Sequence, residues 1–276
     1  MPELPEVEVV RRTLEPLLVG HKIIDVRIFL NKIIKEPNIL IFKAKILNQT
    51  FQAVERKAKL LIFKLDDDVL LSHLRMEGKY YYQKPDAPIN WNHVLIVFDL
   101  DNGYQLCYHD TRRFGTFHLQ DKNNYQNCKP YCNIGPEPWD QQVTVNYLKN
   151  KWKNKTQKVK TALLDQTTIS GLGNIYVNEV LYATQIHPET SVSKLSDAGL
   201  AAIITEATRI LQSSVQLGGT TIATYTSSLG VEGKFQKYLQ VHMRVNQRCF
   251  VCQNMIEKIK VNNRGTYFCG RCQIKK

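Results

Sequence analysis

The sequence lacks the long apolar run that a membrane span requires: nowhere do roughly 18 to 20 apolar residues follow one another. No secretory leader is expected either. The opening Met1-Pro2-Glu3-Leu4-Pro5-Glu6 has neither a basic start nor an apolar stretch, so the chain is expected to stay in the cytosol. No internal repeat or low-complexity block interrupts it. Acidic residues are in short supply: 25 Asp and Glu stand against 37 Lys and Arg, leaving a formal charge of +12 at pH 7. Such a surplus attracts polyanions, nucleic acid or an anionic membrane, although biased codon usage produces the same composition. An apolar share of 43% with 22% charged residues excludes disorder as the main state. The 276 residues suffice for two domains, or for one large domain with an appendage.

Cysteines number seven, an odd count without a leader, which argues against a disulfide framework. Four fall as Cys249-x2-Cys252 and Cys269-x2-Cys272 with sixteen residues between the pairs. At that spacing two knuckles can offer four thiolates tetrahedrally to one zinc ion. Four cysteines close the coordination shell, so the metal is expected to hold the fold and not to react. Lys258, Lys260, Arg264 and Arg271 surround the ligands and suit a ribbon that presents cations to phosphates. Cys107, Cys128 and Cys132 follow no pattern and read as small buried or surface thiols.

Up to about residue 135 the chain reads as β-structure after one leading helix. Pro5 and Glu6 suit a first turn, Val7, Val10, Leu14, Leu17 and Leu18 keep helical spacing, and Gly20 ends the run. Strand-like stretches Lys59 to Leu65 and Val69 to Leu74 flank Asp66-Asp67-Asp68. His93 to Leu100 and Tyr104 to Tyr108 flank Asp101-Asn102-Gly103. A sandwich or barrel is expected. Asn133-Ile134-Gly135-Pro136-Glu137-Pro138 breaks both periodicities and marks a boundary. Helical patterns follow at Val143 to Trp152, Val159 to Asp165, Asn174 to Thr184 and Ser196 to Gln216, stopping before Gly218-Gly219.

Pro2-Glu3-Leu4-Pro5-Glu6 at one end and the four-cysteine ribbon at the other closely resemble the bacterial formamidopyrimidine-DNA glycosylase family. Between them, in the family's order, stand His73-Leu74-Arg75-Met76-Glu77-Gly78, Asp110-Thr111-Arg112-Arg113-Phe114-Gly115, Gly171-Leu172-Gly173-Asn174-Ile175-Tyr176 and Gly218-Gly219-Thr220-Thr221. The resemblance spans essentially the whole chain. It implies an α+β protein of two domains: an N-terminal β-sandwich with flanking helices, and a helical helix-two-turns-helix domain carrying a zinc ribbon. The expected segments are 1–135 for the catalytic sandwich, 136–238 for the helical DNA-binding part and 239–276 for the ribbon. The implied activity is a bifunctional glycosylase and abasic-site lyase, excising 8-oxoguanine and formamidopyrimidines from duplex DNA. It would proceed through a Schiff base on the N-terminal proline and β,δ-elimination. One structural zinc per chain, no organic cofactor, no membrane, a monomeric state and a bacterial, nucleoid-associated cytoplasmic location complete the expectation.

Within that resemblance Pro2 is the nucleophile. Loss of Met1 would leave a secondary amine with a pKa of about 7.7 to 8.0, unprotonated in useful fraction near neutrality and able to form an iminium. By position alone Pro2 reads as a helix lead-in, and the rest of the family pattern reverses that preference. Glu3 is implied as the proton-transfer partner, and Glu6 either supports the site or interacts with the helix dipole. The Arg56-Lys57-Ala58-Lys59 run matches the family's Arg-x-Ala-Lys and assigns the active-site lysine to Lys59, where a solvated strand-edge lysine is the alternative. Met76, Arg112 and Phe114 match the residues that fill the gap left by an extruded base, although singly Met76 and Phe114 read as core. His93 is implied as a further DNA contact. Asn174 and Arg264 are implied to bind phosphates, with a plain helix cap as the other reading of Asn174. The stretch Thr220 to Lys234, with Gly230 and Gly233, matches a lid over the extruded base.

The chain departs from the family pattern in two places. It reads His242-Met243-Arg244 and Asn246-Gln247-Arg248-Cys249 where many relatives have Tyr-Gly-Arg and Gly-x-Pro-Cys, and Ala223 stands where relatives often carry a basic residue. Two other functions remain open. Endonuclease VIII types share the chemistry but take oxidised pyrimidines. They usually open Pro-Glu-Gly-Pro-Glu, so Leu4 with Met76, Arg112 and Phe114 favours the purine branch. A non-enzymatic damage binder would not need the intact Pro2-Glu3 pair.

Overall fold

Pro5 at the first turn and the reciprocal pairing of Glu3 with Glu6 start helix α1 (Leu4–Leu18) in the computed structural model, which describes residues 2–220 and 233–275. Its apolar face, Leu4, Val7, Val10, Leu14 and Leu18, is buried as the spacing predicts. Two compact units organise the chain: residues 1–132 with 218–233, and residues 133–217 with 234–276.

The first unit is a sandwich of two sheets. Strands β1 (Ile23–Ile28), β6 (Lys79–Gln83), β7 (Val94–Leu100) and β8 (Gln105–His109) form a four-stranded sheet in the order β1-β7-β8-β6. The other sheet has the order β2-β9-β5-β4-β3, from β2 (Ile34–Glu36), β3 (Ala53–Lys57), β4 (Leu60–Lys64), β5 (Asp68–His73) and β9 (Thr116–Asp121). All pairings are antiparallel except β2 with β9. The inner faces meet through edge-to-face rings: Tyr80 lies 5.6 Å from Phe63, and Tyr108 4.9 Å from Phe117. Val7, Val10 and Leu14 of α1 join the same buried cluster.

Sequence reading placed a single helix here, but a second, α2 (Ile39–Ile46), packs on β1 and β2. The run Ile39-Leu40-Ile41-Phe42 is apolar and β-branched enough to read as a strand. The Asn38 side chain decides otherwise, accepting the Leu40 and Ile41 N–H groups as an N-cap.

The second unit is helical: α3 (Val145–Trp152), α4 (Val159–Leu163), α5 (Asn174–Ala183) and α6 (Asp197–Gln216). Helices α5 and α6 pack together, and the ribbon hairpin β10 (Glu257–Val261) and β11 (Arg264–Phe268) leans on α5. The buried Glu179 carboxylate of α5 accepts the N–H groups of Gln240, Val241 and His242 at 2.7 to 3.1 Å, fixing the chain that enters the ribbon. Among the described residues no helix is long and apolar enough to cross a membrane. The lid stretch falls almost wholly outside the described residues, Ala223 and Gly230 included.

Phe117 is fully buried and touches Tyr80, Phe98 and Tyr108 across the two sheets. Phe117→Ala should therefore cost about 3 to 5 kcal/mol, read as a lower urea midpoint at unchanged slope.

Candidate active site and zinc centre

At the head of α1, Pro2 and Glu3 are both buried. The Glu3 N–H donates to Glu6 Oε2 at 2.8 Å, and Glu6 Oε1 accepts the Thr220 N–H at 2.8 Å and its hydroxyl at 2.9 Å. Glu6 thus does more than face a helix dipole: it fastens the residues behind Pro2 to the Gly218-Gly219-Thr220 segment. Gly219 has φ +77°, and a Cβ there would stand 2.9 Å from Glu6 Oε1, so this approach needs glycine twice over.

Helix α1 lies on β3 and β4, where Arg56 Nε meets Glu8 Oε2 at 3.0 Å. Arg11 and Arg12 share that carboxylate, and these three guanidinium partners hold Glu8 below the usual carboxylate range despite opposing burial. The β3–β4 hairpin turns on Ala58 (φ 52°) and Lys59. Lys59 is buried, whereas the Lys57 ammonium sits 4.0 Å over the Tyr131 ring. The turn therefore sends the two lysines to different surroundings. Opposite Leu60 stands His73, whose Nδ1 accepts the Arg75 N–H at 3.0 Å. Desolvation, then the charges of Arg75 and Lys59, push its imidazole down to about 3. A neutral His73 beside Lys59 went unnoticed in the sequence, because only strand register makes them neighbours.

Two loops cross between the sheets at one end of the sandwich, 74–78 from β5 to β6 and 110–115 from β8 to β9. The pairs His73–Thr116 and Lys79–His109 set them side by side. They carry half-buried Met76, exposed Arg112 and Phe114, which is 52% exposed. A ring that size left in water on a rigid loop is unusual packing but a usable wedge. The Arg112 guanidinium lies 5.1 Å from the Phe114 ring. Asp110, fully buried, shapes the second loop: one oxygen accepts the Arg112 N–H at 2.9 Å, the other the Phe114 and Gly115 N–H groups at 2.8 and 2.9 Å. Sequence reading quoted Asp110 without giving it a task. His93 adjoins this loop, its carbonyl accepting the Asp110 N–H at 2.9 Å and its ring 5.4 Å from that of His109.

Asn174 and Arg264 belong to the second unit. Asn174 opens α5 behind Gly173 and donates one amide N–H to Gly265 O at 3.0 Å, next to exposed Arg264. The hairpin tip is held by Lys160, whose buried ammonium donates to Asn178 Oδ1, Gly265 O and Thr266 Oγ1 at 2.8 to 3.1 Å. Nothing in the sequence marked that lysine among so many surface ones.

The four ribbon thiols lie within 4.8 Å of one another, with Sγ separations of 3.4 Å for Cys252–Cys269 and 3.9 Å for Cys249–Cys272. Tetrahedral zinc with bonds of about 2.3 Å sets its sulfurs about 3.8 Å apart, so the donors fit one ion. Both knuckles close alike: the Gln253 N–H donates to Cys249 O and the Gln273 N–H to Cys269 O. The buried Tyr182 hydroxyl is 3.1 Å from Cys249 Sγ, placed to donate to a thiolate. Left-handed Met243 (φ 59°) and Asn246 (φ 62°) accommodate the unusual approach to the first ligand.

Comparison with known proteins now decides the family. Residues 1–117 match the formamidopyrimidine-DNA glycosylase N-terminal domain, 134–226 the H2TH domain of the same enzymes, and 246–274 the zinc finger found in FPG and IleRS. The chain belongs to the formamidopyrimidine-DNA glycosylase family. The Mycoplasma pneumoniae enzyme of that name is 39% identical and the Bacillus subtilis one 43%, each match covering all of both chains. Lactococcus lactis Fpg in complex with abasic-site DNA has a TM-score of 0.92 at 39% identity, covering 99% of this chain and 100% of that one. A variant of the same protein with Fapy-dG DNA gives 0.93 at 40%, with the same coverage. This glycosylase fold thus carries a structural site for one zinc ion on Cys249, Cys252, Cys269 and Cys272.

Purified protein should hold one zinc per chain, and Cys249→Ser should release it and weaken DNA binding; metal analysis beside a binding isotherm checks both. A second expectation concerns pH. Burial and the nearby Lys160 push His242 down to about 4, so with His73 it stays neutral where unfolded histidine protonates. The unfolded chain therefore binds more protons below pH about 6.5, and stability falls as pH drops through that point, by roughly 2 kcal/mol per histidine by pH 5. His73→Gln should make the decline of the urea midpoint between those pH values shallower; an unchanged decline would show His73 to be protonated in the fold.

Proposed function

We propose that this protein excises oxidised purines, 8-oxoguanine and formamidopyrimidines, from duplex DNA and cuts the strand at the resulting abasic site. It would act as a monomer in the bacterial cytoplasm at the nucleoid. The observation that carries the reading is the head of α1: Pro2, next to Met1, precedes a buried acid whose backbone Glu6 fastens in place. As an amide with Met1 the Pro2 nitrogen has no lone pair to give, so the reading requires that Met1 be removed. The amine then attacks C1′ of the extruded nucleotide as the base departs with the bonding electrons and a proton. Glu3 handles proton transfer at the sugar, and Lys59 on its hairpin supplies a cation near the phosphates. The C1′–O4′ bond then opens, Glu3 passing a proton to O4′, and the aminal becomes an iminium on Pro2. The iminium acidifies C2′–H, β- then δ-elimination expels the 3′ and 5′ phosphates, and water hydrolyses the iminium to free the sugar fragment and the Pro2 amine.

A glycosidic bond inside a stacked duplex is out of reach, so the nucleotide must rotate out at a cost of a few kcal/mol. Met76, Arg112 and Phe114 would offset part of that cost by filling the gap, with His93 contacting the strand nearby. Asn174 and Arg264 would hold phosphates, and the zinc, when bound, supplies rigidity to the ribbon that presents Arg264. The domain boundaries near 135 and 238 suit this division of tasks.

Borohydride should trap a covalent adduct on an 8-oxoguanine duplex, located at Pro2 by mass spectrometry; fully active enzyme that retains Met1 would overturn the nucleophile. Glu3→Gln should bind duplex but lose single-turnover excision. An oxidised-pyrimidine duplex cut faster than 8-oxoguanine would place the enzyme in the other branch. Arg264→Ala should weaken damaged and undamaged duplexes alike and make the salt dependence shallower by about 0.9 in slope, the share of one phosphate. Phe114→Ala should leave that slope alone and slow base extrusion; equal slopes in the two variants would refute the assignment.

A further inference from the structure

The loops bearing Met76 and Phe114 each end on a glycine, and one side chain lies against both. Tyr108 on β8 is fully buried, its ring 5.2 Å from Tyr80 and 4.9 Å from Phe117. A Cβ on Gly78 would stand 2.2 Å from the Tyr108 hydroxyl oxygen, and one on Gly115 1.8 Å from the same atom. Neither glycine has a left-handed φ, so backbone conformation does not call for glycine at either place. Close neighbours do: the Tyr108 oxygen is the nearest at both, followed by the Leu74 carbonyl oxygen at 2.6 Å for Gly78 and the Tyr108 ring carbon Cζ at 2.6 Å for Gly115.

We infer that Tyr108 is a positioning residue for base extrusion, its hydroxyl being the shared stop that sets the 74–78 loop against the 110–115 loop. Asp110 shapes the second loop from within, and the Gly78 N–H to Leu74 O bond of 3.0 Å closes the first. Those bonds order each loop separately; the Tyr108 oxygen is common to both. The inference rests on the proposal that Met76, Arg112 and Phe114 fill the gap of an extruded base. Such a gap is one base step thick, about 3.4 Å, so its fillers must keep their mutual spacing to within a fraction of that. A misplacement of about 1 Å can cost a hundredfold in rate. With the oxygen removed, Gly78 and Gly115 can settle inward independently.

Tyr108→Phe removes one atom and keeps the ring in the core. Stopped-flow fluorescence of 2-aminopurine beside 8-oxoguanine reports wedge insertion, and single-turnover cleavage of the same duplex reports excision. Both should slow together, roughly three- to tenfold, well short of the loss expected from a full 1 Å misplacement. Cleavage at a preformed abasic site, with no base to unstack, should stay within about twofold, and the salt slope of binding should match the unaltered protein. In a Met76→Ala, Phe114→Ala background, Tyr108→Phe should add no further loss. If Tyr108→Phe inserts and excises at the full rate while Phe114→Ala is slow, the inference fails and the wedge reading stands. If Phe114→Ala is itself at the full rate, the wedge reading fails. Equal losses at 8-oxoguanine and at the abasic site would make Tyr108 a core residue with no positioning task. A Gly115→Ala variant, pushed off the same stop, gives the independent check: normal insertion kinetics in it would also overturn the inference.

Discussion

The buried Glu6 carboxylate is the constraint from which the head of α1 and its surroundings are built. It collects the Glu3 N–H, the Thr220 N–H and the Thr220 hydroxyl within 2.9 Å, so the first turn of α1 cannot shift without breaking all three. Hydrogen bonds to an ionised acceptor in a low-dielectric site are stronger than neutral ones, and leaving a donor there unmet costs about 1 to 3 kcal/mol. The same device recurs wherever backbone must be held in irregular form. Asp110 gathers three N–H groups for the loop of Arg112 and Phe114, and Glu179 gathers three for the chain entering the ribbon. For Glu179 burial outweighs those donors, so its affinity for a proton is raised although the three N–H groups oppose that shift.

Charge and chemistry are divided between the two units. The sandwich holds the head of α1 and the loop that exposes Phe114, where rigidity comes from interlocked aromatic rings. The helical unit and its ribbon hold Asn174 and Arg264, where rigidity comes from Lys160 and the zinc thiols. A ribbon with so few buried residues has too little apolar core to stand alone, which is why the metal is structural.

Much was legible in the residue order because the signals are local. Helical spacing located α1, α3, α4, α5 and α6 to within a few residues, and the strand-like runs flanking Asp66-Asp67-Asp68 and Asp101-Asn102-Gly103 located four strands. The paired Cys-x2-Cys knuckles announced a metal centre, since four thiols at that spacing have few other uses. Helix α2 escaped because its cap, Asn38, outweighs an apolar run that reads as strand.

By itself, then, the sequence determined which segments are helix or strand, which cysteines meet, and which family the chain resembles. Those properties depend on neighbours a few residues apart or on motif order. Only the tertiary structure decided that Met76, Arg112 and Phe114 share one end of the sandwich, that His73 stands beside Lys59, and that the Tyr108 hydroxyl lies against both Gly78 and Gly115. Such contacts arise from strand register and from two crossovers laid side by side, and residues on different strands or loops carry no local signal that they will touch.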